Sequence, residues 1–165
     1  YLKEELELVN CYVDIQKIRF NDKFSYIVEL QEGLEECVIP KLIIQPIVEN
    51  SVLHGLKESE EGNILVRITE QEDVLCIEVT DDGCGAPEER MDAINHRRQE
   101  QLVGHIGVSN VDTIIRLTYG EEYGIHMESL TSHAENTTDG QRTEGEGEVH
   151  GTKVTLRLPV RYGEA

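Results

Sequence analysis

The chain has 165 residues, which is enough for one domain with its own core and too few for two ordinary domains. Its 33 acidic and 15 basic residues give a formal net charge of -18 at pH 7, which argues against nucleic acid and anionic membrane surfaces as partners. This charge does not exclude a phosphorylated small molecule, because a metal ion and a few backbone N–H groups can hold phosphates in a local pocket.

The cysteines form no Cys-x-x-Cys pair, and at least two lie in apolar runs, so we expect reduced thiols in a cytosolic protein. They are Cys11, Cys37, Cys76 and Cys84. No apolar run approaches the ~18 residues that a membrane-spanning helix needs. The first residues already follow a helical pattern and do not resemble a signal peptide, so we expect the sequence to be part of a longer protein.

Residues 2–20 are predicted to form a helix that packs on two neighbours, because apolar side chains recur in two rows near heptad spacing. One row is Leu2, Leu6, Val9, Val13 and Phe20, and the other is Leu8, Tyr12 and Ile15. By itself the pattern is typical of a core helix of the domain. The polar turn 21–23 ends this helix.

Five later stretches have the alternation of strands and predict a sheet of about five strands. They are residues 24–30, 64–68, 74–79, 124–130 and 152–158, with a polar turn at 70–73 that predicts a hairpin and a helical pattern over 108–119. The segment 86–103 is polar with few apolar anchors, which predicts a mobile segment; its good helix propensity leaves a stable surface helix as the alternative. Residues 131–150 predict a disordered acidic insertion or an extended hairpin loop.

The stretch from Gln45 to Gly55 carries the clearest chemistry. A helical winding of ~100° per residue separates an apolar side (Ile44, Val48, Val52) from a sector with Glu49, Asn50, Leu53 and His54. A carboxylate beside a carboxamide can hold a hard cation through oxygen and can accept a proton. Such a pair is also common on solvated helices, so this stretch alone does not establish a site.

Three glycine-containing turns follow, each at the end of a predicted strand or helix. They are Asp81-Asp82-Gly83-Cys84-Gly85, then Gly104-His105-Ile106-Gly107, and finally Gly151-Thr152. Glycine at such positions lets the main chain approach a ligand closely. At the strand end, Asp81 could accept a hydrogen bond from an exocyclic amine or cap its own glycine turn.

In this order, the Glu49-Asn50 helix and the three turns resemble the N, G1 and G2 boxes and the closing Gly-Thr of the GHKL ATP-binding domains. The chain more closely resembles sensor histidine kinases of the LytS/YesM-like type, through Ile39-Pro40, Gln45 to Gly55, 107–111 and 115–120. The resemblance covers about residues 1–130 and 150–160. It implies the Bergerat fold, an α/β two-layer sandwich with a mixed, mostly antiparallel sheet of about five strands and helices on one face.

The resemblance also implies ATP and Mg²⁺ as cofactors. Asn50 would hold the magnesium ion, Glu49 would orient or deprotonate the acceptor, and Asp81 would take the adenine amino group with Thr152 supporting the ring through water. The segment 86–103 would be a lid over the nucleotide. The remaining implied ATP-binding residues are His54, Gly83, Gly85, Gly104, Gly107 and Asn110, while Arg116 is expected to be a solvated or structural helix residue.

Two features depart from the family pattern. Leu53 stands where the family usually has a lysine, which removes a cation expected near the phosphates. A protonated His54 could partly compensate, although a neutral, hydrogen-bonded histidine fits this position as well. None of the six histidines lies in the family's phosphoacceptor context, so we expect the chain alone to bind ATP without ordinary autophosphorylation.

The resemblance implies that residues 1–22 are the end of a dimerisation and phosphoacceptor helix with its linker, and that 23–165 form the ATP-binding kinase domain. The predicted function is donation of the ATP γ-phosphate to a histidine on an upstream helix, in a homodimeric, membrane-anchored parent whose cytoplasmic domain acts on a response regulator. The alternatives are another GHKL ATPase, a protein Ser kinase of the anti-sigma type, and a degenerate nucleotide-sensing module.

Overall fold

A computed structural model describes residues 1–55, 61–96, 106–133 and 148–163. In chain order the elements are α1 (Leu2–Arg19), β1 (Phe24–Leu30), α2 (Gln45–Asn50) with a π-helical turn (Ser51–Gly55), β2 (Gly62–Gln71), β3 (Val74–Asp81), α3 (Glu88–Asn95), α4 (Ile106–Tyr119), β4 (Gly124–His133) and β5 (Glu148–Pro159). Among the described helices, none combines the length and the apolar character that crossing a bilayer requires.

The five strands form one mixed sheet in the order β1-β2-β3-β5-β4. The β1–β2 pair is parallel, and the β2–β3, β3–β5 and β4–β5 pairs are antiparallel. The hairpin predicted at 70–73 joins β2 to β3, with positive φ at Glu72 and Asp73. The predicted fold class is therefore confirmed.

Period-two alternation decides which residues reach the core. Along β3 every second residue is buried, from Leu75 through Ile77 and Val79 to Asp81. The side chains of β3 that face the core are therefore apolar up to Val79, and the last of them is the carboxylate of Asp81. This places Asp81 inside the molecule at the exit of the strand.

Most of the first predicted row of α1 is buried, including Leu2, Val9 and Val13, whereas Phe20 is half-buried, and α1 packs against α2. From the second row, Leu8 and Ile15 are exposed. Glu5 is buried within α1, and its carboxylate accepts N–H hydrogen bonds from Leu42 (2.8 Å), Ile44 (3.1 Å) and Gln45 (3.5 Å) at the start of α2. These bonds tie α1 to the helix that carries Glu49 and Asn50.

The segment predicted to be mobile begins with a helix. In α3, Ala93 and Ile94 are buried, and the Asn95 side chain exchanges two hydrogen bonds of 2.8 Å with the backbone of Met127 on β4. For residues 88–95 the structure therefore gives the helix that the sequence left as the alternative. Residues 97–105 lie outside the described part of the chain, and the mobility of the lid stays a prediction.

The predicted insertion 131–150 is shorter at both ends than expected. The β4–β5 ladder continues through Thr131↔His150 to His133↔Glu148, so six of those residues are in strand. A strand can continue beyond its apolar residues because the neighbouring strand satisfies its backbone groups. The remaining residues, 134–147, fall outside the described part of the chain.

Candidate functional site

The buried part of the site is centred on Asp81, which is 2% exposed. The Ser51 hydroxyl donates a hydrogen bond of 2.7 Å to one carboxylate oxygen, and the Gly83 N–H donates one of 3.2 Å to the other. Thr152 on β5 is paired with Asp81 in the ladder and is also buried. We call Ser51, Asp81, Gly151 and Thr152 the Asp81 end of the site.

Burial raises the pKa of Asp81, because a charged carboxylate loses its hydration there. Hydrogen bonds from Ser51 and from the backbone of Gly83 and Thr152 oppose this shift and favour the ionised form. The result is an acceptor that is already oriented, with little solvent to compete for it. Such a group can select a ligand that presents an N–H donor.

Glycine is required sterically at the Asp81 end. A Cβ atom on Gly151 would lie 2.3 Å from the Asp81 carbonyl oxygen, which is well inside contact distance. At Gly85, φ is +77°, and a Cβ atom would also be 3.3 Å from the Ser129 hydroxyl. At Gly151 and Gly85 the main chain approaches other protein atoms closely, where β3, β4 and β5 come together, and the predicted approach to a ligand stays a prediction.

Glu49 and Asn50 lie together on the half-buried side of α2, while Ile47 and Val48 face the core. Pro46 occupies the first turn of the helix, where its missing N–H is tolerated. The Glu49 carboxylate accepts a hydrogen bond of 2.8 Å from the Gln45 side chain. The predicted carboxylate and carboxamide pair is thus presented toward one side of the helix.

Arg90 of α3 completes this second part of the site. Its guanidinium donates a hydrogen bond to the Asn50 side-chain oxygen, and the side chain is half-buried. Burial lowers the pKa of Arg90, and the nearby Asp81 carboxylate opposes that shift. We call Glu49, Asn50 and Arg90 the Asn50 end of the site.

Arg90 belongs to the segment 86–103, whose polar composition predicted exposure to solvent, but its side chain is half-buried. The useful signal was helix periodicity, since Arg90 precedes the buried Ala93 and Ile94 by three and four residues. Ser51 was missed as well. It follows the buried Ile47 and Val48 by four and three residues, which puts its hydroxyl on the apolar side.

The Asn50 oxygen fits the magnesium ion that the resemblance implies. A carboxamide oxygen is a suitable ligand for Mg²⁺, which completes its shell with phosphate and water oxygens. In this structure the same oxygen already accepts a cationic donor, so a positive group is accommodated there. Within the described residues, no cluster of three or more His, Cys, Asp or Glu side chains could form a separate metal site.

Of the other predicted residues, Gly107, Asn110 and Arg116 lie on α4. Gly107 is in its first turn, and a Cβ atom there would meet Pro46 at 3.5 Å, so α4 begins against α2. Asn110 is exposed on α4. Arg116 pairs with Asp112 at 2.8 Å, as expected for a structural residue. Gly104 and the His54 side chain fall outside what the structure describes.

Comparison with known proteins identifies the family. Residues 39–162 match the family described as histidine kinase-, DNA gyrase B-, and HSP90-like ATPases. The chain is 29% identical over 161 residues to the sensor histidine kinase YesM of Bacillus subtilis, covering 97% of this chain and 24% of that protein. It is 32% identical over 130 residues to the sensor histidine kinase YpdA of Escherichia coli, covering 78% of this chain and 22% of that protein.

Solved structures agree with this fold. The nucleotide-free catalytic domain of the histidine kinase ThkA has a TM-score of 0.62 at 16% identity, covering 98% of this chain and 95% of that one. The mycobacterial sensor histidine kinase MprB has a TM-score of 0.61 at 15% identity, covering 96% and 95%. The chain spans about a quarter of the length of the two curated relatives, with 24% and 22% of each covered. It belongs to the histidine kinase-, DNA gyrase B- and HSP90-like ATPase family and is one of its ATP-binding domains.

Proposed function

We propose that this chain is the catalytic domain of a sensor histidine kinase and donates the γ-phosphate of ATP to a histidine on a helix outside these residues. The observation that carries the proposal is the pair of ends described above: a buried, oriented carboxylate at Asp81 and a half-buried oxygen pair at Glu49 and Asn50. The names of the related proteins support this reading, since YesM and YpdA are both sensor histidine kinases.

The Asp81 end would recognise the base. The ionised Asp81 carboxylate accepts a hydrogen bond from the exocyclic amine of adenine, and Ser51 holds the carboxylate in place. Thr152 supports the ring through water. Because Gly151 carries no side chain, β5 packs directly against the Asp81 backbone, which helps to fix the position of the carboxylate that would meet the base.

The Asn50 end would handle the phosphates. The Asn50 oxygen binds the metal ion, and Glu49 orients the acceptor imidazole or takes its proton. When bound, Mg²⁺ supplies neutralisation of the charge on the phosphate oxygens. The start of α4, which carries Gly107, would direct N–H groups toward phosphate, and Gly104, His54 and Asn110 would also contact the nucleotide.

The parent would be a homodimer anchored to a membrane, with this part in the cytoplasm and a response regulator as the downstream partner. Residues 1–22 would be the end of the dimerisation and phosphoacceptor helix. The Glu5 carboxylate, bound to the backbone of Leu42 and Ile44, offers a rigid connection between that helix and α2.

Incorporation of label from γ-³²P-ATP into the full-length parent tests this function. We expect label that is released by acid and resists base, as for phosphohistidine, and loss of the label in Glu49→Gln. Label that resists acid would identify a Ser kinase instead. ATP binding by the parent without any label would identify a nucleotide-sensing module, for which Leu53 at the usual lysine position is the motivating residue.

A further inference from the structure

We propose that Arg90 is a phosphate-binding residue that supplies the positive charge at the Asn50 end of the site. This inference rests on the proposed ATP binding and assigns to α3 a part of the nucleotide site. The sequence motifs assign nucleotide binding to α2 and the glycine turns and do not include α3.

The first observation is geometric. Arg90 is half-buried and donates to the side-chain oxygen of Asn50, the residue that would hold the metal ion. α3 itself is fixed in place by Ala93 and Ile94 in the core and by the paired hydrogen bonds of Asn95 to β4. The packing of α3 therefore fixes the position of the Arg90 guanidinium next to Asn50.

The second observation concerns charge. Arg67 and Arg116 each have a carboxylate at 2.8 Å, from Glu29 and Asp112 respectively. Among the described residues no carboxylate lies within ion-pair distance of Arg90, and its buried Nε–H lacks a hydrogen-bond partner. The Asp81 carboxylate favours the charged form of Arg90 only from beyond ion-pair distance, so this partly desolvated guanidinium is still costly to keep charged, and an anionic ligand would lower that cost.

The third observation concerns Leu53, the side chain one helical turn after Asn50. Leu53 follows Asn50 by three residues and is 40% exposed, so an apolar group faces solvent beside the proposed metal ligand. A polyphosphate bound there would meet no cation from this position of the helix. Arg90 reaches the same Asn50 from the opposite element and can form two N–H bonds to phosphate oxygens.

Titration of the 165-residue chain by calorimetry tests the inference, with ATP, inorganic tripolyphosphate and adenosine as probes, each with Mg²⁺. Arg90→Met keeps a side chain of similar length without charge, and we expect it to weaken ATP and tripolyphosphate binding roughly tenfold or more because a charge-assisted hydrogen bond is lost. Adenosine affinity should be unchanged. Arg67→Met is the matched control, since it removes an exposed, paired arginine, and it should leave all three affinities unchanged.

A second variant tests the substitution of one cation for another. In Arg90→Met, adding Leu53→Lys should recover most of the lost ATP affinity, because the lysine would rise from the helix turn beside Asn50. Unchanged or tighter ATP binding in Arg90→Met overturns the inference, as does an equal loss for adenosine or a failure of the lysine to rescue. If the unmodified chain binds no ATP at all, the proposed function itself fails, and the two failures are thereby distinguished.

Discussion

The two ends of the site are built in different ways. At the Asp81 end, Asp81, Ser51 and Thr152 are nearly inaccessible to solvent and are held by strand pairing and hydrogen bonds of 2.7 and 3.2 Å. At the Asn50 end, Glu49 and Asn50 are half-buried, and their hydrogen bonds run between side chains on helices. One end is part of the core, and the other lies on its edge.

We infer from this difference that the Asp81 end recognises the base and that the Asn50 end takes part in the phosphate chemistry. A preformed acceptor in the core costs little to order when a base binds, so it suits selection of one ligand. Side chains on the edge can exchange partners, which the Asn50 oxygen must do when a metal ion replaces the guanidinium of Arg90. The comparison therefore predicts that substitutions at the Asp81 end affect stability and base recognition together, whereas those at the Asn50 end spare stability.

The largest effect is expected for Gly151→Ala. The new methyl group would lie 2.3 Å from the Asp81 carbonyl oxygen, so β3 and β5 must separate. We expect a loss of about 1–3 kcal/mol or more in the free energy of unfolding, measured by urea denaturation. Gly107→Ala on α4 is the matched control, because its methyl group would meet Pro46 at an ordinary 3.5 Å. A loss as large as that of Gly151→Ala would remove the contrast.

The next effect is expected for Asn50→Ala. Removing the metal-binding oxygen should weaken Mg²⁺-dependent ATP binding roughly tenfold or more while the urea midpoint stays near that of the unmodified chain. Calorimetry with and without Mg²⁺ measures the first quantity. An unchanged Mg²⁺ dependence in the variant would mean that Asn50 is not the ligand.

A smaller effect is expected for Ser51→Ala, which leaves the buried Asp81 carboxylate without one donor. The cost should be about 1 kcal/mol in the free energy of unfolding, since a net hydrogen bond to a buried group is lost. Ser25→Ala is the matched control, because the Ser25 hydroxyl donates to Asn63 at the exposed surface. If both variants lose the same small amount, the Ser51 hydrogen bond does not matter for stability.

The smallest effect is a pH dependence that follows from the raised pKa of Asp81. Because its pKa in the folded chain exceeds the ordinary 3.8, the stability that this group contributes is fully present below 3.8 and is lost as pH rises through the raised value. Relative to Asp81→Asn, the free energy of unfolding of the unmodified chain should fall as pH rises from 3.8 through the raised pKa of Asp81. At higher pH the difference between the two chains should stay constant. A difference in melting temperature that does not vary with pH would contradict the shift.

Much of the Asp81 end could be predicted from sequence, because strand patterns and glycine turns are visible in short stretches of the chain. The predicted strand 74–79 put Asp81 at a strand end, and Gly85 and Gly151 indicated close backbone approach. At the Asn50 end, the pattern gave Glu49 and Asn50 but not their neighbour. Arg90 comes from an element 40 residues away, and its position depends on how α3 packs against β4.

The π-helical turn after Asn50 also could not be predicted from the spacing of apolar residues. A uniform helix was predicted from Gln45 to Gly55, whereas the chain widens into a π-helical turn at Ser51–Gly55. Such turns are rare and often occur at functional sites. No spacing of apolar residues distinguishes this turn from an ordinary helix, since Ser51 and Val52 are buried in either case.

The central claim is that Asp81 reads the base of the nucleotide, and Asp81→Asn tests it most directly. Calorimetric titrations of the variant and the unmodified chain would compare adenosine, ATP with Mg²⁺, and inorganic tripolyphosphate with Mg²⁺. We expect a loss of roughly tenfold or more for adenosine and ATP, since the amide presents one acceptor oxygen and a donor that opposes the adenine amine. Tripolyphosphate binding should be unchanged. Equal losses for all three ligands, or no loss for adenosine, would contradict the assignment of Asp81 to the base.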